Sequence, residues 1–170
     1  MKEYEEAKER AIRSLKVADH MLTITYPLVQ DTKILVTVME NIFLGLTNAI
    51  AALLYWERKY KKIPPFHENF DSKFNTFKLY CVERYNISKG YLPFLMEIKE
   101  IIHEHKNSPV EFTRKNKFVI ASKDYKLKSF SISDVKNYLS KAKLFIQEVL
   151  SIIEKNERFS TRFKGRIKES

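Results

Sequence analysis

The sequence predicts an all-α protein, an antiparallel helical bundle built around one long central helix. Residues 31–62 form the longest apolar-periodic segment, and Glu40 is its only charged residue between Lys33 and Glu57. The 170 residues include only three glycines, too few for the many turns of a β-rich protein. Several further segments repeat apolar residues at spacings of three and four, which is the period of an amphipathic helix.

Composition predicts one folded domain with a charged extension. The chain is 44% hydrophobic and 13% aromatic, which excludes a disordered protein. We assign residues 1–157 to a single helical-bundle domain and residues 158–170 to a basic C-terminal tail. Cys81 is the only cysteine, so a disulfide framework and a cysteine-based zinc site are both excluded. Residues 1–20 are densely charged and unlike a signal peptide, and we expect a cytoplasmic protein.

The first two helices follow in chain order. Residues 2–25 repeat apolar side chains at helical spacing, and Pro27 is expected to end this helix. Asp31 or Thr32 can cap the central helix, and the two prolines at 64–65 prevent its continuation. Because its periodic residues should lie in the core, we expect aspartate at position 44 or 50 to unfold the protein.

Two shorter helices are predicted next. Residues 71–85 form an aromatic-rich segment, and the following helix begins at Leu92-Pro93, since proline is tolerated in a first turn. The side chains expected to face the core are Phe70, Phe74, Phe77 and Cys81 in the first segment, and Leu95, Ile98, Ile101 and Ile102 in the second.

The region before the last helix differs in character. Residues 106–131 predict a short irregular excursion or a β-hairpin, with strands at 117–121 and 125–130 around Ser122-Lys123-Asp124. The last long helix begins with Ser133 as its cap. Its expected inward residues are Val135, Leu139, Ala142, Ile146, Val149 and Ile153.

The central helix carries a stripe of small and polar residues, and we predict that part of it forms a buried polar seam. The members of that seam are Thr37, Glu40, Asn41 and Asn48. Such a stripe, together with Gly45, allows a close approach of another helix, and we expect a homodimer. The same helix is long enough to span a bilayer at residues 34–56, but Glu40 and the amides oppose insertion. A core helix is therefore favoured over a membrane anchor.

Positive charge is concentrated in two short stretches. The formal net charge is +10; residues 108–131 hold six basic and two acidic side chains, and residues 158–170 hold five and one. A localised basic patch with interleaved aromatic residues is typical of nucleic-acid binding. The candidate binding residues are Arg114, Lys115, Lys117, Lys123, Lys126 and Lys128. If 125–130 is a strand, Lys126 and Lys128 share one of its faces. Lysines that protect an exposed strand edge explain the same pattern.

Three helical segments carry a family resemblance: AIRSLKVADHML in the first helix, NIFLGLTNAIAALLYWE in the second and VKNYLSKAKLFIQEVL in the last. They resemble the HEPN family of small α-helical bundles. This resemblance implies a dimeric helical fold, and either a metal-independent ribonuclease or a partner of a nucleotidyltransferase. Active family members carry arginine, four to six residues and then histidine near the later helices. Here the formal match, Arg13 to His20, lies on the first helix, and a solvated helix face explains this pair without catalysis.

Other candidate sites are simpler to explain by structure. His103 and His105 are two residues apart and point to different sides of a helix, so they are poor joint metal ligands. His67, Glu68 and Asp71 are consistent with the start of a helix. We expect no metal and no cofactor. Three functions remain open: a basic, dimeric module that binds nucleic acid, RNA rather than DNA; a HEPN-type ribonuclease; and a membrane-anchored protein.

Overall fold

The computed structural model describes residues 2–169, and the side chains of residues 2–166. The protein is mostly helical, with a small three-stranded antiparallel sheet before the last helix. Its elements are α1 (Glu3–His20), a π-helical segment (Met21–Thr25), α2 (Tyr26–Val29), α3 (Lys33–Lys59), α4 (Phe70–Tyr80), α5 (Tyr91–Asn107), β1 (Val110–Arg114), β2 (Lys117–Ala121), β3 (Leu127–Phe130) and α6 (Ile132–Glu169).

The long predicted helix is α3, which lies at the centre of the fold. It packs most extensively against α1 and α6, and also contacts α4 and α5. Leu35, Met39, Ile42, Leu46 and Leu53 are all fully buried in one continuous apolar core. Because apolar side chains cover most of its circumference, α3 needs neighbours on several sides, and these four helices supply them.

Small residues bring α1 close to α3. Ala7, Ala11 and Ala18 of α1 are fully buried. A Cβ atom added at Gly45 of α3 would lie 3.5 Å from the carbonyl oxygen of Ala11 and 3.1 Å from Cδ1 of Ile146 on α6. Gly45 therefore serves packing within one chain, and it no longer supports the predicted close approach of a second copy.

Pro27 does not end the first helix, contrary to the prediction. The backbone passes from α1 through the π-helical segment into α2, and Pro27 lies in the first turn of α2. The wider π turn accommodates a proline ring that would otherwise clash with the carbonyl four residues earlier. The helical path ends at Gln30, whose φ of 56° is left-handed.

The later helices confirm the predicted core residues and correct some boundaries. α4 ends at Tyr80 rather than residue 85, because residues 81–86 form turns that lead to a left-handed Asn86 with φ 52°. α6 begins at Ile132, and Ser131 rather than Ser133 caps it: its Oγ accepts the Asp134 N–H at 3.3 Å. α6 then continues past residue 157 to Glu169, so the predicted tail has helical backbone. All the predicted inward residues of α5 and α6 are buried.

The prediction of an all-α fold is inexact, because the excursion is a sheet of order β1-β2-β3. The predicted strand 117–121 is β2, and the predicted strand 125–130 is β3, shortened to Leu127–Phe130 because Tyr125 has a left-handed φ of 59°. β1 was not predicted. Its register with β2 pairs Val110 with Ala121 and Arg114 with Lys117.

By length and composition alone, α3 is a helix that could cross a membrane, as the sequence also indicated. In the fold, 56% of its most apolar window is buried against other parts of the chain. A helix buried in a protein core has the same apolar composition as a membrane-spanning helix, because the side chains of both are removed from water.

The two positions expected to be equally sensitive to aspartate differ in exposure. Ile50 is 1% exposed, whereas Leu44 is 50% exposed on the outer side of α3. We expect Ile50→Asp to unfold the protein, because an unpaired buried charge costs several kcal/mol, comparable with the whole stability of a domain. Leu44→Asp should change the free energy of unfolding by only about 0.5 kcal/mol. Urea unfolding followed by far-UV circular dichroism checks both variants, and equal loss of stability would contradict the placement of α3.

Candidate functional site

The register of the sheet separates its side chains into two faces. Phe118, Ile120 and Phe130 point inward, where they are buried in the core beneath the sheet. Alternation places a second set on the opposite side, which we call the outer sheet face. This outer sheet face comprises Val110, Phe112, Arg114, Lys117, Val119, Ala121, Leu127 and Ser129. Phe112 is 38% exposed and Leu127 is 61% exposed, whereas Val119 on the central strand is 5% exposed, so apolar surface reaches solvent at Phe112 and Leu127.

The six predicted cationic residues are divided among three places. Arg114, Lys115 and Lys117 surround the β1–β2 turn, where Lys115 and Asn116 have φ of 51° and 62°. Two consecutive left-handed residues are typical of the tight turn that suits twisted hairpin strands. We call this group the first basic turn. Its residues are all exposed.

At the other end of β2, Lys123 and Lys126 lie in the turn between β2 and β3. Ser122 holds this turn: its N–H donates to the Lys126 carbonyl at 2.9 Å, and its Oγ accepts the Lys126 N–H at 3.1 Å. Tyr125 stands between the two lysines and is 91% exposed. We call this group the second basic turn.

The predicted lysine face on the last strand does not form. Lys126 lies before β3, and Lys128 is half-buried on the inner side of the sheet, opposite Ile120. The reason is the left-handed turn at Tyr125, which delays the strand until Leu127. The structure therefore brings together two separate groups of cations at opposite ends of β2, rather than one row.

One of the two acidic residues in this region is partly buried on the inner side of the sheet. Glu111 of β1 lies on the inner side, and its Oε1 is 2.6 Å from Nδ1 of His105. The other ring nitrogen of His105, Nε2, is 3.2 Å from Oε1 of Glu40 on α3. The three side chains form what we call the histidine clamp, which joins α3, α5 and β1. Asp124 is then the only carboxylate among the exposed side chains of the two turns.

A cleft of about 390 Å³ lies beside the histidine clamp, between α3, the end of α5 and the sheet. Thr32 and Thr113 share a 2.5 Å hydrogen bond between their hydroxyls, a second link between the start of α3 and β1. The cleft is lined by Lys33, Val36, Thr37, Glu40, His105, Glu111, Phe112, Thr113 and Phe118. Phe112 belongs to both the cleft and the outer sheet face.

The histidine clamp is not arranged as a metal site. Both ring nitrogens of His105 face carboxylate oxygens on opposite edges of the imidazole, so the three side chains do not converge on one point. Within the described residues, no group of three histidine, cysteine or acidic side chains is placed to hold a metal ion. His103 is exposed on the other side of α5 and contacts Asn107.

The prediction of a buried polar seam on α3 is wrong, because none of its four residues is buried. Thr37 is exposed, and Glu40, Asn41 and Asn48 are only half-buried. Both amides donate to carbonyls of their own helix, Asn41 to Thr37 at 2.9 Å and Asn48 to Leu44 at 2.8 Å. These polar residues lie at the margin of the core, because the alanines of α1 and Gly45 of α3 form the contact between the two helices.

The remaining candidate residues lie apart from the sheet. Arg13 and His20 are both exposed on α1, two helical turns from each other. His67 is exposed as well. Glu68 accepts hydrogen bonds from Lys73 and Tyr55, which hold the pKa of its carboxyl below its usual value. Asp71 pairs with Lys99 at 2.6 Å. These two carboxylates are engaged in ion pairs rather than placed as ligands.

Sequence reasoning missed a buried ionic cluster at the other end of α3. Glu57 is fully buried and pairs with Arg84 and with the hydroxyl of Tyr85. Arg84 also donates to the Lys62 carbonyl at 3.3 Å. Burial, reinforced by the charge of Glu57, raises the pKa of the nearby Cys81 thiol to about 12. The only signal in the sequence was a lone glutamate at the end of an apolar run, which equally suits a solvated helix end.

Neither a family model nor a curated protein matches this chain. The resemblance to HEPN proteins therefore stays a prediction.

The histidine clamp should hold the sheet on the helices. Glu111→Gln removes the charge that faces His105, and we expect it to weaken protection of the β1 and β2 amides by about 0.5–1 kcal/mol, because the pair is partly exposed. Asp124→Asn, which removes a charge from the exposed second basic turn, is the matched control. Native-state hydrogen exchange measures both variants, and equal protection in the two would contradict the role of the clamp.

The Glu57 cluster predicts a loss of stability in alkali. Burial, followed by the hydrogen bond to Glu57, raises the pKa of Tyr85 above its ordinary value of 10.0. Because the pKa of Tyr85 is higher in the folded state than in the unfolded state, the contribution of this group to stability is complete below pH 10. That contribution declines as the pH rises from there toward the folded-state pKa. Tyr85→Phe should lower stability at neutral pH by about 1–3 kcal/mol, because Glu57 loses a partner, and should flatten the decline. Denaturant unfolding at several pH values tests this, with the exposed Tyr125→Phe as control.

Proposed function

We propose that this protein binds single-stranded nucleic acid, RNA in particular, on the outer sheet face. The observation that carries the proposal is the position of the exposed cations: the first and second basic turns lie at opposite ends of β2, with the exposed Phe112 between them. β2 has five residues, so the two groups are separated by roughly 16 Å of strand.

Charge favours an anionic polymer as the ligand. Five cations and a single carboxylate, Asp124, are exposed on the two turns, since Glu111 is held inward by His105. Ammonium and guanidinium groups that neutralise phosphates release bound counterions, which supplies most of the sequence-independent binding energy. A chain with a negative charge at each unit can contact both turns at once, whereas one small anion can contact only one of them.

Aromatic exposure favours unpaired bases over a duplex. Phe112 and Tyr125 offer ring surface to solvent, one on the strand and one on the second basic turn. Bases of a single strand stack on such rings regardless of sequence, and each stacked base contributes about 1–3 kcal/mol. Paired bases in a duplex are already stacked and cannot use them. The preference for RNA rests on the HEPN resemblance.

The other functions have less support in the fold. Arg13 and His20 lie on an exposed face of α1, and neither residue lines the cleft beside the histidine clamp, so that cleft does not serve as a substrate cavity for this pair. Membrane insertion of α3 would remove it from the core that α1 and α6 share with it. Homodimer formation and a nucleotidyltransferase partner remain proposals, and the apolar part of the outer sheet face is where a protein partner would compete with RNA.

A salt series tests the proposal directly. Binding of a labelled, unstructured RNA should weaken as salt rises, with a logarithmic slope of about −0.7 per contacted phosphate. Changing Arg114, Lys115 and Lys117 to Gln should make that slope shallower by the equivalent of about two to three phosphate contacts. Changing Lys123 and Lys126 to Gln should make it shallower by the equivalent of about one to two phosphate contacts. Phe112→Ala should weaken binding about tenfold without altering the slope, since it removes stacking rather than charge.

The matched control is a triple variant of exposed lysines elsewhere, Lys16, Lys78 and Lys89 changed to Gln. Melting temperatures establish that all variants are folded. If the control lowers the slope as much as the first basic turn does, binding is diffuse and the outer sheet face is not the site. If the unaltered protein does not bind RNA at low salt, the proposed function is wrong. If sedimentation instead shows self-association that rises with concentration, and Phe112→Ala abolishes it, the outer sheet face is a contact between copies of this chain.

A further inference from the structure

A second basic site lies at the opposite end of α3, formed by the ends of three helices. It is a pocket of about 200 Å³ between the start of α1, the end of α3 and the C-terminal part of α6. Lys2, Lys59 and Lys164 each line it, one from each helix end. None of the six candidate cations of the sheet takes part. The sequence did not indicate this site, because its three lysines are separated by more than fifty residues.

The lysines of this pocket carry a surplus of positive charge. In the described part of the chain, none of the three ammonium groups forms an ion pair with a carboxylate. Glu157 is the one acidic side chain in the lining, so three positive charges face one negative charge. The side chain of Lys2 lowers the pKa of Lys59, and partial desolvation and the charge of Lys164 act in the same direction. Like charges held this close favour an anion between them.

A neutral hydrogen-bond donor lies in the same pocket. Ser160 and Thr161, adjacent on α6, both line it, and the Thr161 hydroxyl donates to the Glu157 carbonyl at 2.9 Å, which leaves the hydroxyl of Ser160. Trp56 forms part of the wall and is only 3% exposed, yet its indole N–H has no hydrogen-bond partner among the described residues. That N–H is itself enclosed, so the donors available to a ligand are the Ser160 hydroxyl and the three ammonium groups.

Aromatic rings hold the central lysine in place. Nζ of Lys59 lies 5.4 Å from the ring centre of Tyr4, 5.6 Å from that of Trp56 and 5.4 Å from that of Tyr60. Tyr4 and Trp56 are themselves in edge contact, with ring centres 5.0 Å apart. Cation–π contacts of this kind fix the ammonium group within the cage, so its charge is positioned before any ligand arrives.

We propose that this pocket binds a phosphate monoester group. The three ammonium groups and one carboxylate leave a net charge of +2, which matches the −1.5 to −2 charge of a phosphate monoester at neutral pH and exceeds that of a diester. The ammonium groups and the Ser160 hydroxyl supply donors for its terminal oxygens. The pocket has room for the phosphate group itself, while the rest of the ligand would extend into solvent.

Tryptophan fluorescence provides a direct test, because Trp56 is the only tryptophan in the chain. Inorganic phosphate and methyl phosphate should each change the emission in a saturable way, at a pH well above the second phosphate pKa of about 6 and at ionic strength held constant with chloride. Dimethyl phosphate, which carries one charge, should bind several-fold more weakly. Lys59→Gln and Lys164→Gln should each weaken phosphate binding by about tenfold.

Lys78→Gln, an exposed lysine of α4, is the matched control and should leave binding unchanged. Phosphorus NMR of methyl phosphate gives a second readout that does not depend on the fluorescence of Trp56. Equal affinity for methyl and dimethyl phosphate would refute a monoester site. The proposal also fails if neither method detects binding, or if both lysine variants bind like the unaltered protein. The Gln variants of the two basic turns should retain phosphate binding, so this result stands apart from the RNA experiment.

Discussion

The close contact of α1 with α3 at Gly45 is the constraint on which the rest of the fold depends. Because Gly45 has no side chain, the Ala11 carbonyl of α1 and the Ile146 side chain of α6 approach this position closely. A Cβ atom added here would contact both of them. Native interiors are close-packed, so even one added methylene group displaces its neighbours and lowers stability. Three long helices meet at this point, and their mutual distances determine where the two ends of α3 lie relative to everything else.

Each end of α3 is then fixed by polar contacts rather than by apolar packing alone. At the N-terminal end, the histidine clamp and the Thr32–Thr113 hydrogen bond attach the sheet to the helices. At the C-terminal end, Glu57 is fully buried, and Arg84 and Tyr85 both pair with it. Removing a partner from such a carboxylate is costly, since the charge remains in a medium of low polarity. These contacts join segments that are distant in sequence and would otherwise be free to separate.

Much of the helical fold could be predicted from the sequence, because helical periodicity is a local property. The inward residues of α5 and α6 were identified by their spacing alone, and the strand 117–121 by its β-branched and aromatic residues. Where the prediction failed, the deciding contact was not local. Leu44 and Ile50 belong to the same apolar run, and only the placement of the neighbouring helices leaves one exposed and the other buried. Pro27 was misread because a π turn relieves its clash, which no spacing rule indicates.

The candidate sites were harder to predict than the fold, for a related reason. Composition located the basic stretch at 108–131, but it could not show that two turns would divide its cations between opposite ends of β2. The histidine clamp joins Glu40 to Glu111, which lie seventy-one positions apart, and neither segment indicates that the two residues share a histidine. Side chains that act together in a site need only meet in space, so a single sequence without its fold carries little information about them.

The two basic sites are physically independent because of the length of α3. The cleft residue Val36 and the pocket residue Trp56 are twenty positions apart on this helix, a distance of about 30 Å. Charges in solvent are screened within about 8 Å at physiological ionic strength, so an anion bound at one end does not alter the potential at the other. Coupling between the sites would require α3 to move as a body. The close packing at Gly45 opposes that movement, because the Ala11 carbonyl of α1 and the Ile146 side chain of α6 already lie against this position.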